Sequence, residues 1–273
     1  MFEPSSRTER AAVPTAADVL AWAAALPALD ADVQDAERID QLTALETLKS
    51  VCAALQAPVT AAFTGSQVAQ HLSGGRSLPG ALRSVAGQVA LARRDSPARG
   101  RRHVAVATTL TRDLPSTLAQ LRAGRISEWR AALVVRELDC LQPAERRRAD
   151  AEIAPRLPQL GDRATASAAA AVAYRLDAEA VLARIRGAVA DRRVTIRPAP
   201  DTMAVISALL PVTQGVAVYA TLRRQAKVAA AAGDPRTRGQ VMADELVGRI
   251  TGTASTPDEL GCRPTPSASR STW

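Results

Sequence analysis

Between residues 96 and 138 the chain repeats one punctuation: a capping residue, a run of helix formers, a glycine or proline, then another cap. Ser96 followed by Pro97 predicts an N-cap serine with proline at the first helical position, opening a helix that runs to about Thr111. "LPSTLAQLRAG" reads as a further short helix closed by Gly124, and Ser127 caps the next, "EWRAALVVREL". A chain punctuated this often folds into short helices that meet at abrupt angles, as in helix-turn-helix folds. It does not form one long coiled coil.

The same reading extends to the rest of the chain. Thr15 caps a short helix carrying Val19, Leu20, Trp22, Ala23 and Leu26. A longer helix follows, with Ile39, Leu42, Leu45, Leu48, Cys52, Leu55 and Val59 spaced as one apolar stripe, and Pro58 is expected to kink or restart it. "GSQVAQHLSGGRSLPG" reads as an exposed, weakly structured connector before a helix from about Ala81 to Arg93. Helices are expected near 143–154, 164–175 and 178–191, the last opened by Asp177, and near 212–232 and 236–251. Between these groups "RRVTIRPAPDTMAVISALLP" alternates Val194, Ile196, Met203 and Val205 about a Pro-Ala-Pro-Asp turn, which predicts a β-hairpin near 193–209. Residues 1–14 read as a loose tail. Residues 252–273, polar and Pro/Ser-rich, read as disordered. The expected fold is mainly α: a multi-helix bundle over 15–251, with a helix-turn-helix-like basic part at 79–140 and the hairpin plus helices at 193–251.

Composition supports close helix packing. Apolar residues make up 47% of the chain but aromatics only 3%, so most of the core must come from alanine and aliphatic side chains. The net charge is +8, and only Lys49 and Lys227 are lysines, so the positive charge is almost all arginine. It is unevenly placed. Residues 76–156 hold sixteen arginines against eight acids, while the remainder is balanced at nineteen against nineteen. A basic middle between neutral ends points toward nucleic acid. Cys52, Cys140 and Cys262 are odd in number, far apart and in no CxxC pair, which suits reduced thiols in the cytoplasm. No apolar run reaches membrane-spanning length, and residues 1–15 lack the apolar core of a signal peptide. The expected location is cytoplasmic, with no membrane partner.

The basic residues concentrate in "ARRDSPARGRRHVAVA". Arg93 and Arg94 precede the Ser-Pro step, and Arg99, Arg101 and Arg102 follow it. A helix N-terminus already carries partial positive charge, so intramolecular forces favour acids there. Gly100 in the first turn weakens the helix further, by about 1 kcal/mol relative to alanine. Both choices suit a phosphate, which arginine forks and free N–H groups can hold together. Arg93, Arg94, Arg99, Arg101 and Arg102 are therefore the candidate DNA phosphate contacts, and His103 is a further candidate contact. The competing reading is a solvated arginine corner. Trp129 reads more simply as a packing anchor than as a platform for a base.

Catalytic patterns are missing from the residues. His71 and His103 are the only histidines and lie far apart, no Cys–His spacing suits a metal, and no Gly-rich phosphate loop follows a strand. No catalytic residue, metal ligand, cofactor or small-molecule ligand is assigned, and the chain is read as non-enzymatic.

The segments "ALARRDSPARGRRHVAVATTLTRDLPSTLAQLRAGRISEWRA", "RRVTIRPAPDTMAVISALLPVTQGVAVYATL" and "RGQVMADELVGRITG" closely resemble the domain-of-unknown-function 222 family, also called the 13E12 repeat family, over roughly residues 35–255. The resemblance implies association with HNH endonuclease modules and with repeated, mobile-element-like loci. It does not carry nuclease activity onto this chain, because "GCRPTPSASRSTW" holds no CxxC pair and no His-Asn-His grouping and reads as a truncated or out-of-frame tail. The basic region alone also resembles the helix-turn-helix core of ParB-like DNA-binding proteins. That likeness would put Arg99, Arg101, Arg102 and His103 at the start of a recognition helix, with Arg93 and Arg94 on the turn before it. The leading expectation is a non-catalytic DNA-binding module. The alternatives are a protein-interaction or homo-oligomerisation module, and an inactive remnant of a truncated nuclease.

Overall fold

The computed structural model describes residues 14–252, and apart from Pro14 and Gly252 the two tails expected at 1–14 and 252–273 lie outside the described residues. The described residues fall into two compact units, dividing between Val181 and Leu182. The described residues form eleven α-helices and one two-stranded hairpin, so the fold is mainly α with a single β-hairpin.

In the first unit the helices are α1 (Ala16–Ala25), α2 (Asp35–Ser73), α3 (Leu78–Ala92), α4 (Pro97–Asp113), α5 (Pro115–Arg122), α6 (Glu128–Leu138), α7 (Pro143–Ile153) and α8 (Asp162–Leu176). Four starts are set by caps legible in the sequence. The Thr15, Ser96 and Ser127 hydroxyls accept from the backbone N–H three residues on, and so does the Asp177 carboxylate at the start of α9 (Ala178–Ala190), within which the two units divide.

Helix α2 departs from expectation twice. It runs unbroken through Pro58 and on through Gly65–Ser73, so the helix does not restart at Pro58, and of the connector expected over 65–80 only 74–77 lies outside helix. A proline removes one backbone hydrogen bond, and in a helix of 39 residues held by its neighbours that loss does not end the helix. Its apolar stripe is also not its buried face. Ile39, Leu42, Leu48, Leu55 and Val59 are exposed, while Ser50, Ala53, Ala54, Ala57, Thr60 and Thr64 are buried. Small side chains let α3, α4 and α5 pack closely on α2. The core closes around Leu110, Leu114, Leu121, Leu138, Leu141, Ile153 and Leu157, each nearly or wholly buried.

Two buried aspartates tie α4 and α5 to α7. Asp113, at the end of α4, accepts from Arg112 at 3.1 Å and from Arg146 at 3.1 Å. Burial pushes its carboxyl upward, but the hydrogen bonds and charges of the two arginines outweigh this and hold it below the ordinary aspartate value. Arg146 also donates to the carbonyls of Leu138 and Asp139, pinning the link after α6. Asp150, fully buried on α7, accepts from the Ser116 N–H at 2.6 Å, the Thr117 N–H at 2.9 Å and the Thr117 hydroxyl at 2.5 Å. Leu114 stands at the N-cap of α5 and has no side chain able to cap. Asp150 takes over that task from a distant helix.

The second unit contains β1 (Arg193–Pro198) and β2 (Ala204–Leu209), antiparallel, with Ile196 opposite Ile206 and Pro198 opposite Ala204. The turn between them places Asp201 (φ 59°) and Thr202 (φ 58°) in the left-handed region, closed by Met203 N–H to the Pro200 carbonyl at 3.2 Å. Thr202 is β-branched and strained there. Helices α10 (Val212–Ala231) and α11 (Arg238–Thr251) pack together, burying Leu222, Ala226 and Val241. Arg236 bridges Asp234 at 2.6 Å and Asp244 at 2.7 Å across their connection. Its hydrogen bond holds the Asp234 carboxyl at about 2 and raises its own pKa in turn.

Candidate nucleic-acid interface

The basic segment is the turn between α3 and α4 and the first turns of α4. Helix α3 ends with Arg93 as C-cap, and Arg94 follows in the left-handed region at φ 55°. The Arg94 N–H donates to Leu91 O at 3.1 Å and the Asp95 N–H to Ala90 O at 2.8 Å. This is a Schellman closure, with arginine at the position where glycine is usual. Left-handed backbone at a residue with a Cβ costs about 1–2 kcal/mol. Ser96 then caps α4, its hydroxyl accepting from the Arg99 N–H at 3.4 Å.

Gly100 sets how α4 lies. A Cβ built on it would stand 2.2 Å from the Ala86 carbonyl oxygen and 2.7 Å from the Ala90 Cβ. The glycine therefore serves close approach of α4 to α3, and no space for a phosphate opens at its Cα. With successive side chains about 100° apart around a helix, Ala98, Arg102 and Ala105 turn away from Gly100, and Arg99 and Arg101 sit on its two flanks. All five are exposed.

The candidate contacts divide into two groups. Arg93 and His103 turn inward, with side chains only 22% and 18% exposed. Arg93 donates to Glu128 Oε1 at 2.9 Å, and His103 lies between Asp95 Oδ2 at 3.1 Å and Glu128 Oε1 at 3.9 Å. They join the turn to the start of α6 and face the protein. The His103 contact lowers the Asp95 carboxyl most, partial desolvation opposes it, and the Ser96 N–H and the Arg99 charge reinforce it. Arg94, Arg99, Arg101 and Arg102 face out. Arg99 has Asp95 at 3.6 Å but remains 73% exposed. Arg94 and Arg101 have no carboxylate partner among the described residues.

Sequence reasoning missed what holds Arg102. Its guanidinium lies 5.0 Å from the centre of the Trp129 ring, and Trp129 is itself 47% exposed. Trp129 is thus not the buried anchor its position suggested. It props a cation at the surface. Asp95, Arg99, Arg102, His103, Glu128 and Trp129 surround a cleft of about 250 Å³. The pairing spans 27 positions and carries no periodic signal, so only the fold brings it into view.

No cluster of three or more potential metal ligands occurs among the described residues, and no described helix is long and apolar enough to cross a membrane. Cys52 and Cys140 are unpaired thiols. A search of curated proteins and of solved structures finds no match. The family model described as "Domain of unknown function (DUF222)" matches residues 40–264, which takes in both the basic segment and the hairpin. Most of the chain therefore fits that one description, and the protein belongs to the DUF222 family.

Proposed function

We propose that the chain is a cytoplasmic, non-catalytic DNA-binding module that holds duplex phosphates with Arg94, Arg99, Arg101 and Arg102. Four outward guanidinium groups around one helix start carry the reading, above all Arg94, which occupies a backbone conformation that glycine would adopt without strain. Local stability and local sequence disagree at that residue, and such disagreements concentrate at working surfaces. The turn of Arg93, Arg94, Asp95 and Ser96 between α3 and α4 suits a helix-turn-helix mode, in which the start of the second helix meets DNA. Contacts of this kind supply affinity and orientation more than sequence choice. The likeness to HNH-associated, mobile-element-like proteins fits a part that delivers DNA and leaves cleavage to another module.

Arg94→Gly tests the reading because its two effects have opposite signs. The variant should be more stable by about 1 kcal/mol, a rise in Tm of roughly 2–4 °C, because it relieves the left-handed backbone. Its affinity for a duplex at low salt should fall roughly tenfold, because one phosphate contact is lost. Thermal melting and fluorescence anisotropy measure the two. A stabilised variant that binds DNA as well as wild type would remove Arg94 from the interface.

A further inference from the structure

Two of the outward arginines, Arg99 and Arg102, also line the cleft between α4 and the start of α6. A DNA strand held on those guanidinium groups therefore passes the mouth of the cleft. At about 250 Å³ the cleft is smaller than the roughly 300–1,000 Å³ of pockets that enclose drug-sized ligands, and a single planar ring system suits its scale.

Its walls offer the two kinds of contact that hold a base. Trp129 supplies an indole that is half open to water, with the Arg102 guanidinium over the ring. Aromatic rings and guanidinium planes beside a basic groove are the surfaces on which unpaired bases stack. Glu128 supplies a hydrogen-bond acceptor. Its Oε1 accepts from Arg93 and faces His103, while no donor among the described residues reaches Oε2. A free carboxylate oxygen accepts from the amino group of a base edge. A base inside a continuous duplex can use neither wall, because its faces are stacked and its pairing edge is taken.

We infer that this cleft takes one unpaired base of the bound DNA, stacked on Trp129 with its amino edge toward Glu128. The inference rests on the arginine reading for its backbone contacts and adds the form of DNA the site selects: a duplex interrupted by an unpaired, amino-bearing base, over a continuous duplex. Guanine is the most complete probe, because its pairing edge carries two adjacent donors.

Fluorescence anisotropy of the full chain at low salt tests this with a fully paired duplex, the same duplex carrying one bulged guanine, and the same bulge made abasic. Wild type should bind the guanine bulge about tenfold more tightly than the abasic one, which keeps the interrupted backbone and lacks only the base. Trp129→Ala should bring that ratio close to one, and Trp129→Phe should keep most of it. The ratio is unaffected by any weakening of Arg102, because both bulged duplexes feel that equally. Equal wild-type affinities for the two bulges, with the paired duplex still bound, would overturn the base site and leave the arginine reading standing. Binding to none of the three would remove both. A guanine preference that survives Trp129→Ala would overturn the inference by placing the base elsewhere. If Trp129→Ala loses helicity by circular dichroism, Trp129→Leu decides.

Discussion

Replacing Gly100 with alanine is expected to destabilise the first unit by about 3 kcal/mol, although glycine-to-alanine changes within helices ordinarily stabilise by about 0.5–1 kcal/mol. The reversal follows from the α3–α4 contact. The new methyl group would stand 2.2 Å from the Ala86 carbonyl oxygen, a backbone atom that no rotamer change can move. Helix α4 would have to lift off α3, loosening the contact at Ala86 and Ala90, both of them buried. Gly87, in α3, is the matched control, because a Cβ there meets nothing within 4 Å. Gly87→Ala should therefore raise stability by about 0.5–1 kcal/mol. Urea titrations of the two variants should move the midpoint in opposite directions. Equal shifts would mean that α4 does not depend on a bare Cα at residue 100.

Asp150→Ala should cost about 3 kcal/mol, by a different route. The carboxylate is wholly buried and accepts three hydrogen bonds from Ser116 and Thr117. Without it the first N–H groups of α5 have no acceptor, because Leu114 cannot cap and Pro115 has no N–H. Asp150→Asn keeps the shape and one acceptor oxygen, so it should lie between wild type and alanine. Hydrogen exchange localises the effect: the Ser116 and Thr117 amides should lose protection in Asp150→Ala before the core of α6 does. Uniform loss across the unit would show that Asp150 supports packing in general and does not cap α5.

These two residues also mark where sequence reading stops. Helix starts were legible because a cap is a local device: Ser96, Ser127, Thr15 and Asp177 act on N–H groups three residues away. The cap of α5 was not legible, because its carboxylate sits 33 or 34 positions along the chain. Gly100 read as a helix weakness near arginines, since nothing local shows that another helix passes at its Cα. The stripe of Ile39, Leu42, Leu48, Leu55 and Val59 misled for a related reason. Periodicity reports where large apolar residues lie, whereas close packing here uses the small ones, Ala53, Ala54 and Ala57. At the basic segment, charge density alone could not tell Arg93 and His103, which bind Glu128 and Asp95, from the four arginines that face outward. Counting cations gave the neighbourhood, and the fold divides it.

The salt dependence of duplex DNA binding tests the proposed role of α4 most directly. Four phosphate contacts should give a slope of log Kobs against log salt of about −3 to −4, a loss of about 10²-fold in affinity between 50 and 200 mM. The triple variant Arg99→Ala, Arg101→Ala, Arg102→Ala should keep its helicity and retain a slope of only about −1. A wild-type slope near zero, or a triple variant as steep as wild type, would contradict the assignment of DNA binding to this face.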